Sequence, residues 1–234
     1  LSVKFLLCYT YQLFYYIYNM DFNQFLQLVP RLISESLKAS DSHLKMAPIE
    51  RVKYYQNYDY SVHNPKDSAV VTLFYPKNNR TTILLIVRSS YPGVHSSQIA
   101  FPGGKKEILD KDLQHTALRE LQEEVGVLSE RVQLVKQWSE LYIPPSNFLV
   151  TPFLGISTSE IEPIMQVDEV ADIIELDLER LLSDKIVENV SMSTSYASNI
   201  NVPAFVLDGH IVWGATAMIL SEVKESIKSV LSRL

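Results

Sequence analysis

Residues 103–127 read GGKKEILDKDLQHTALRELQEEVGV, and the fold and chemistry of the chain turn on this stretch. Two glycines open a tight loop, and the helix-competent run after them carries Glu120, Glu123 and Glu124 within five positions. At about 100° per residue the three carboxylates share roughly a 100° arc of one helix face. Ala117, Leu118, Leu121 and Val125 fall on another arc, suited to a core. Like charges at i, i+3 and i, i+4 repel. A solvated surface relieves that repulsion by exposure. A hard divalent cation relieves it by binding, and Mg²⁺ takes carboxylate oxygens together with substrate phosphates. The company of the cluster favours the cation: the glycine loop precedes it, Arg119 adjoins it, and Gly126 ends the helix two residues after Glu124.

The 234 residues suit a single domain, and a hydrophobic fraction of 47% supplies a sizeable core. The formal charge is -6, and no lysine or arginine run offers the footprint of a nucleic-acid binder. A mildly acidic protein still binds phosphates where a metal carries the local positive charge. The single cysteine, Cys8, rules out an intramolecular disulfide and a cysteine-based zinc site, which fits a reducing compartment.

Residues 1–19 (LSVKFLLCYTYQLFYYIYN) are rich in Tyr, Phe and Leu, and Met20 follows them. They lack the small-residue cleavage site of a signal peptide, and Tyr9 to Gln12 make a poor membrane span. The expectation is that Met20 is the native start, that 1–19 is upstream sequence, and that 20–234 form one domain. A membrane anchor is the alternative. Ser232-Arg233-Leu234 resembles the S-K-L peroxisomal address, which has meaning only in a eukaryote. The expected location is otherwise cytoplasmic.

Apolar spacing predicts an amphipathic helix over 21–38, with Asp21 as its cap and Pro30 as a kink or interruption. Residues 40–66 read as loop with short structure. Ala69–Tyr75 and Thr82–Arg88 read as buried strands about a turn at Lys77–Arg80. Ser89–Pro102 reads as a long loop with a turn at Pro92-Gly93. A helix is expected over 111–125, then strands at Val132–Tyr142, Thr151–Ser157 and Glu169–Leu176, and a short helix at Leu178–Leu182. Val202–Leu207 and His210–Trp213 should pair across Asp208-Gly209, ahead of a helix over Thr216–Leu231. This pattern suggests an α/β fold: a mixed sheet covered by helices on both faces.

The segment from Gly104 to Val127 resembles the Nudix box, G-x5-E-x7-R-E-U-x-E-E-x-G-U with U a bulky apolar residue. Gly104, Arg119, Glu120, Leu121, Glu123, Glu124, Gly126 and Val127 match. Asp110 stands where the pattern has Glu, and eight residues instead of seven separate it from Arg119. Upstream, Leu84-Leu85-Ile86-Val87-Arg88-Ser89, His95 and Phe101-Pro102-Gly103-Gly104 are similar to the signature of the coenzyme A pyrophosphatase branch, which also carries the lengthened box with an Asp. Ile86 and Ser97 depart from it, at positions where that branch has Thr and Gly. Pro145–Phe153, Asp168-Glu169-Val170 and Ile211–Ala217 resemble the same branch.

The resemblance implies a Nudix α/β/α sandwich that hydrolyses the diphosphate bridge of a nucleotide substrate with Mg²⁺ or Mn²⁺. It implies Glu120 and Glu124 as the leading metal ligands, with Glu123 as a third ligand or an aid to water activation, and Gly104 as a carbonyl ligand. Glu123 and Glu169 are both candidates for the general base; Asp168-Glu169 is equally a solvated strand start. Arg119 is expected to orient carboxylates through a bidentate pair. Gly103 and Gly104 let the backbone approach phosphate. Arg88 suits a phosphate contact, or is a surface charge at a strand end. His95 is a substrate contact or a hydrogen-bonded structural residue. Pro144–Phe148 shapes a pocket or is a rigid loop, and Trp213 is expected to pack in the core. The leading substrate is coenzyme A or an acyl-coenzyme A, with ADP-ribose, NADH or another dinucleotide as the alternative. A non-catalytic ligand sensor fits less well, because such modules lose box glutamates. Many members dimerise, so a homodimer is among the implied states; neither a membrane nor a nucleic acid is an expected partner.

Overall fold

The computed structural model describes residues 20–52, 59–90, 97–192 and 200–234. The readings placed on residues 1–19, on His95 and on the Pro92-Gly93 turn lie outside the described residues. The elements, in chain order, are α1 (Phe22–Ser34), α2 (Ala39–His43), α3 (Ile49–Val52), β1 (Lys66–Lys77), β2 (Arg80–Arg88), β3 (Ile99–Ala100), β4 (Gly103–Lys105), α4 (Leu113–Val125), β5 (Gln133–Gln137), β6 (Leu141–Ile143), β7 (Phe148–Ile156), β8 (Val170–Asp177), α5 (Leu178–Leu182), β9 (Val187–Met192), β10 (Ile200–Leu207), β11 (His210–Trp213) and α6 (Gly214–Leu231). None of these helices is long and apolar enough to cross a membrane.

Local chemistry sets the element ends. Asp21 and Gln24 form a reciprocal capping box at the start of α1, where Asp21 Oδ1 accepts from Gln24 N at 2.8 Å and Gln24 Oε1 accepts from Asp21 N at 2.9 Å. Pro30 sits inside α1 without ending it; the helix stops at Ser34, where Glu35 turns extended. Asn78 and Asn79, at φ 49° and 63°, supply the two left-handed positions of the β1–β2 turn, and Asp208 and Gly209, at 46° and 89°, do the same between β10 and β11.

β1 lies at the centre of a mixed eight-stranded sheet, parallel to β7 and antiparallel to β2. Side chains alternate between its faces. Ala69, Val71, Leu73 and Tyr75, with Leu84 and Ile86 of β2, pack against Ala117, Leu121 and Val125 of α4. Phe74, Ile83 and Leu85 point the other way, into a core shared with α1 and α6. Helices therefore cover both faces, as expected.

Three expectations are corrected. The predicted strand over Val132–Tyr142 is two strands, β5 and β6, because Trp138 turns inward between them: it is fully buried and its Nε1 donates to Thr72 Oγ1 at 3.0 Å. The expected loop before Pro102 contains β3, which pairs with Ile86 and Val87. The strands after α5 form a second, three-stranded sheet in the order β11-β10-β9. Its member β9 (VENVSM) gave no sequence signal, since it is largely exposed and lacks apolar alternation.

Candidate active site

α4 starts at Asp112, whose side chain accepts from His115 N at 2.8 Å, and ends at Gly126, which takes φ 67° and donates to Gln122 O at 2.9 Å. Burying Ala117, Leu121 and Val125 fixes the rotation of the helix. That rotation carries Glu124 under the Gly103-Gly104 strand and leaves Glu123 outside. Glu124 is 1% exposed; its Oε2 accepts from Gly103 N at 2.8 Å, and its Oε1 lies 3.4 Å from Arg88 Nη1. Burial raises its carboxyl to about 7, with Glu120 and Glu169 pushing the same way and Arg88 and the Gly103 amide opposing them. Burial also raises Glu120, against the pull of Arg119.

Two glycines make this approach. A Cβ on Gly104 would stand 2.4–2.7 Å from the carboxylate of Glu120. Gly103 adopts φ 151°, and a Cβ there would meet Ala69 O at 2.2 Å across the β1–β4 pairing.

Arg119 forms a bidentate pair, but with the loop residue Asp110: Nε to Oδ1 and Nη2 to Oδ2, both 3.0 Å. Its Nη1 reaches Glu123 Oε2 at 2.7 Å and Glu120 Oε1 at 3.0 Å, and Nη2 donates to Lys105 O at 3.2 Å. Asp110 is 5% exposed and also accepts from Thr116 Oγ1 and Glu107 N. The Arg119 guanidinium, helped by these donors, holds Asp110 far below the usual carboxylate range despite its burial. The lengthened box thus folds its shorter acid inward as the anchor of Arg119, while Ile108 and Leu109 stand exposed at the loop tip.

Arg88 ends β2, where the pairing with β8 shifts register between Val87 and Arg88. Such a bulge re-aims a side chain. Ser89 N donates to Glu169 O at 2.9 Å, which ties the exposed Glu169 to this corner. The C-terminal carbonyls of α4 hold the preceding loop: Gln166 N donates to Glu124 O and Ile164 N to Val125 O.

The donor set fits a divalent cation as a half-site. Glu120 and Glu124 are carboxylates one turn apart, both raised by burial, and Glu120 pushes Glu124 further up. Glu123 does not join them; its side chain is 54% exposed and paired with Arg119. Among the described residues no three His, Cys, Asp or Glu side chains are grouped so as to hold an ion by themselves. Mg²⁺ suits such a place, since it keeps several waters and completes its shell with substrate phosphates.

Beside this cluster opens a cavity of about 570 Å³. Its walls are mainly apolar and include Ile99, Phe101, Ile143, Phe148 and Ile219, with Arg88, Lys105 and Arg51 as cations. Trp213 is another correction: it is half-buried and lines the cavity instead of packing in the core. Pro144, Pro145 and Ser146 line it as well. Two buried polar atoms on cavity residues, Arg88 Nε and Ser146 Oγ, have no hydrogen-bond partner among the described residues. Ser146 belongs to the Pro144–Phe148 stretch expected to shape a pocket. Sequence reading missed Arg51 and the anchoring role of Asp110, and the displaced acid of the box was the only signal for the latter.

Residues 65–191 match the model of the NUDIX domain. The chain is 32% identical over 149 residues to an uncharacterized Nudix hydrolase, NudL, of Photorhabdus laumondii, covering 64% of this chain and 79% of the relative. It is 31% identical over 175 residues to NudL of Pectobacterium atrosepticum, covering 69% and 83%. Among solved structures it is similar to the NUDIX domain of Shewanella oneidensis NrtR complexed with ADP ribose, at 21% identity and TM-score 0.41, over 56% of this chain and 85% of that one. It is also similar to RenU, a Nudix hydrolase from M. smegmatis, at 13% identity and TM-score 0.47, over 70% and 87%.

Proposed function

We propose that this chain, which belongs to the Nudix family and is a divalent-metal-dependent hydrolase of nucleoside diphosphate derivatives, takes coenzyme A or an acyl-coenzyme A as its main substrate. Water adds across the P–O–P anhydride and releases 3′,5′-ADP and 4′-phosphopantetheine or its acyl form. One observation carries this reading. Three separated stretches that resemble the coenzyme A branch contribute to a single cavity: Arg88 with Phe101–Gly104, Pro145–Phe148, and Trp213–Thr216. The carboxylates of α4 adjoin the glycine end of that cavity, and its apolar walls suit a long, weakly polar arm.

In this reading Glu120 and Glu124 hold Mg²⁺ or Mn²⁺, with the carbonyl of Gly104 beside them. The bound ion supplies charge neutralisation at the phosphoryl oxygens and lowers the pKa of water. Phosphoryl transfer otherwise needs positioning more than covalent help. Arg88 binds a diphosphate oxygen; its buried, unpartnered Nε is a donor suited to that bond. Gly103 and Gly104 admit the diphosphate against the backbone. Arg119, fixed by Asp110, positions Glu120 and Glu123. Glu169 takes the proton of the attacking water: it is exposed, and the charges of Glu120 and Glu124 both feel it. Glu123 is the second candidate for that proton, and Arg119 already occupies its carboxylate.

The test incubates the protein and Mg²⁺ or Mn²⁺ separately with coenzyme A, acetyl-coenzyme A, ADP-ribose and NADH, and resolves the products by chromatography. Preferential release of 3′,5′-ADP from the coenzyme A species is the expected result. Equal or faster cleavage of ADP-ribose or NADH discards coenzyme A as the main substrate.

A further inference from the structure

We infer that Ser146 is a specificity-determining residue whose hydroxyl hydrogen-bonds the outer amide of the substrate's arm, the one nearer the sulfur. The inference rests on the coenzyme A reading, in which the pantetheine arm lies in the cavity.

A mainly apolar cavity suits the hydrocarbon of such an arm but leaves its two amides short of partners unless a wall supplies them. Among the described residues, two lining side chains hold a buried polar atom without a hydrogen-bond partner: Arg88 through Nε and Ser146 through Oγ. In the coenzyme A reading the diphosphate takes Arg88, which stands beside Glu124. Ser146 sits elsewhere, in the turn between β6 and β7. That turn is fixed without its hydroxyl. Ser146 N donates to Ile143 O at 3.3 Å, Asn147 N donates to Pro144 O at 3.2 Å, and Lys66 N donates to Asn147 O at 2.9 Å. The Asn147 side chain is used at both ends: Oδ1 accepts from Tyr142 Oη at 3.0 Å, and Nδ2 donates to His63 O at 3.0 Å. Pro144 and Pro145 have no N–H to offer. The Ser146 hydroxyl is the polar side-chain atom that this turn leaves for a ligand. A hydroxyl both donates and accepts, so either half of an amide suits it.

Reach selects the outer amide. Ala69 pairs with both Gly104 and Thr151, so these two stand level on either side of β1, about 10 Å apart. Ser146 precedes Thr151 by five positions, which puts it up to roughly 19 Å from Gly104. At about 1.2 Å per bond of extended chain, the inner amide stands about 7 Å from the phosphorus and the outer one about 12 Å. An ion held roughly 2 Å from each of its oxygens lengthens both spans. The outer amide matches the position of Ser146 better than the inner one, and the terminal ribose of ADP-ribose ends as early as the inner amide.

The discriminating pair is coenzyme A and an analogue whose outer amide is replaced by two methylenes. Wild type should favour coenzyme A. Ser146→Ala should lower kcat/KM for coenzyme A about 3- to 10-fold, mainly through KM, as expected for one neutral hydrogen bond, and leave the analogue unchanged. The hydroxyl has no partner before substrate binds, so the same change should leave the substrate-free melting temperature level or raise it. A structural role predicts the reverse: a lower melting temperature and equal losses on both substrates. That result, an undiminished kcat/KM for coenzyme A in Ser146→Ala, or no wild-type preference within the pair overturns the inference. If wild type cleaves neither, the coenzyme A reading fails separately. Calorimetric binding of 4′-phosphopantetheine then still decides the role of Ser146: wild-type binding weakened in Ser146→Ala upholds it, and equal affinities or no binding end it.

Discussion

Two helices on opposite faces of the main sheet each bury a glutamate, and the two side chains end in opposite states. Glu124 of α4 is 1% exposed and sits at about 7; Glu222 of α6 is fully buried and sits at about 2. Burial raises a carboxyl in both places. The difference lies in the donors. Glu222 Oε1 accepts from Lys38 N, Ala39 N and Ser139 Oγ; Oε2 accepts from Ser139 N and stands 3.1 Å from His43 Nε2. Glu124 has one backbone donor and a long contact to Arg88, and it faces two other carboxylates. One site is electrostatically complete and ties α2 and the Trp138–Ser139 corner to α6. The other is under-compensated where phosphate and cation would arrive. A buried acid left short of donors is a mark of function more than of stability.

Isosteric substitution should pull the two sites apart. Glu124→Gln keeps an oxygen for the Gly103 amide and removes the charge. With substrate and Mg²⁺ its kcat should fall about 10³-fold, the equivalent of roughly 4 kcal/mol, while its metal-free melting temperature stays level or rises. Retention of full turnover would remove Glu124 from the metal site. Glu222→Gln should behave inversely, since its amide nitrogen must face N–H donors. Urea unfolding should show a loss of about 3 kcal/mol, with kcat nearly intact in the molecules that remain folded. Loss of turnover at unchanged stability would contradict the structural reading.

The pH dependence of stability sharpens the contrast. Glu124 has a folded value above its unfolded one, so its contribution is complete below about pH 4.5 and is lost as pH rises through 7. Metal-free protein should lose about 2 to 3 kcal/mol between pH 5 and 8, and Mg²⁺ or Glu124→Gln should flatten that limb. Glu222 is depressed, so its contribution is present above pH 4.5 and is lost as pH falls towards 2. Glu35, held at about 2 by Lys38, Arg233 and Ser229 against its burial, shares that acid limb. Thermal melts across pH, with and without metal, test both. A flat metal-free profile from pH 5 to 8 would mean that Glu124 is compensated already.

The functional region was the more legible of the two. Box spacing, the α4 rotation and both asparagine- or glycine-bearing hairpins follow from short-range rules: helical period, left-handed turn residues and caps. What escaped depends on contacts far apart in sequence. Trp138 breaks a predicted strand because Thr72, on another strand, offers its Nε1 an acceptor. Glu222 reads as one polar residue in a terminal helix, and its partners lie 83 to 184 positions away. Asp110 looked like a defect in the box; only the folded loop shows it clamping Arg119. Trp213 was expected in the core, yet at the end of the second sheet it lines the cavity.

The smallest expected effect separates the two glycines that make the Glu124 side possible, where Glu222 needs none. In Gly104→Ala the new methyl meets only the end of the flexible Glu120 side chain. Glu120 can swing aside, so stability should change by less than about 1 kcal/mol. Its carboxylate then leaves the position beside Glu124, and Mn²⁺ affinity should drop roughly tenfold, about 1.4 kcal/mol, as read by titration without substrate. Gly103→Ala cannot relax the same way. Its methyl meets the backbone oxygen of Ala69, and φ 151° suits no other residue, so that variant should damage the β1–β4 pairing itself. If Gly104→Ala binds Mn²⁺ as tightly as wild type, Glu120 is no ligand, and the half-site shrinks to Glu124 with the substrate's own phosphates.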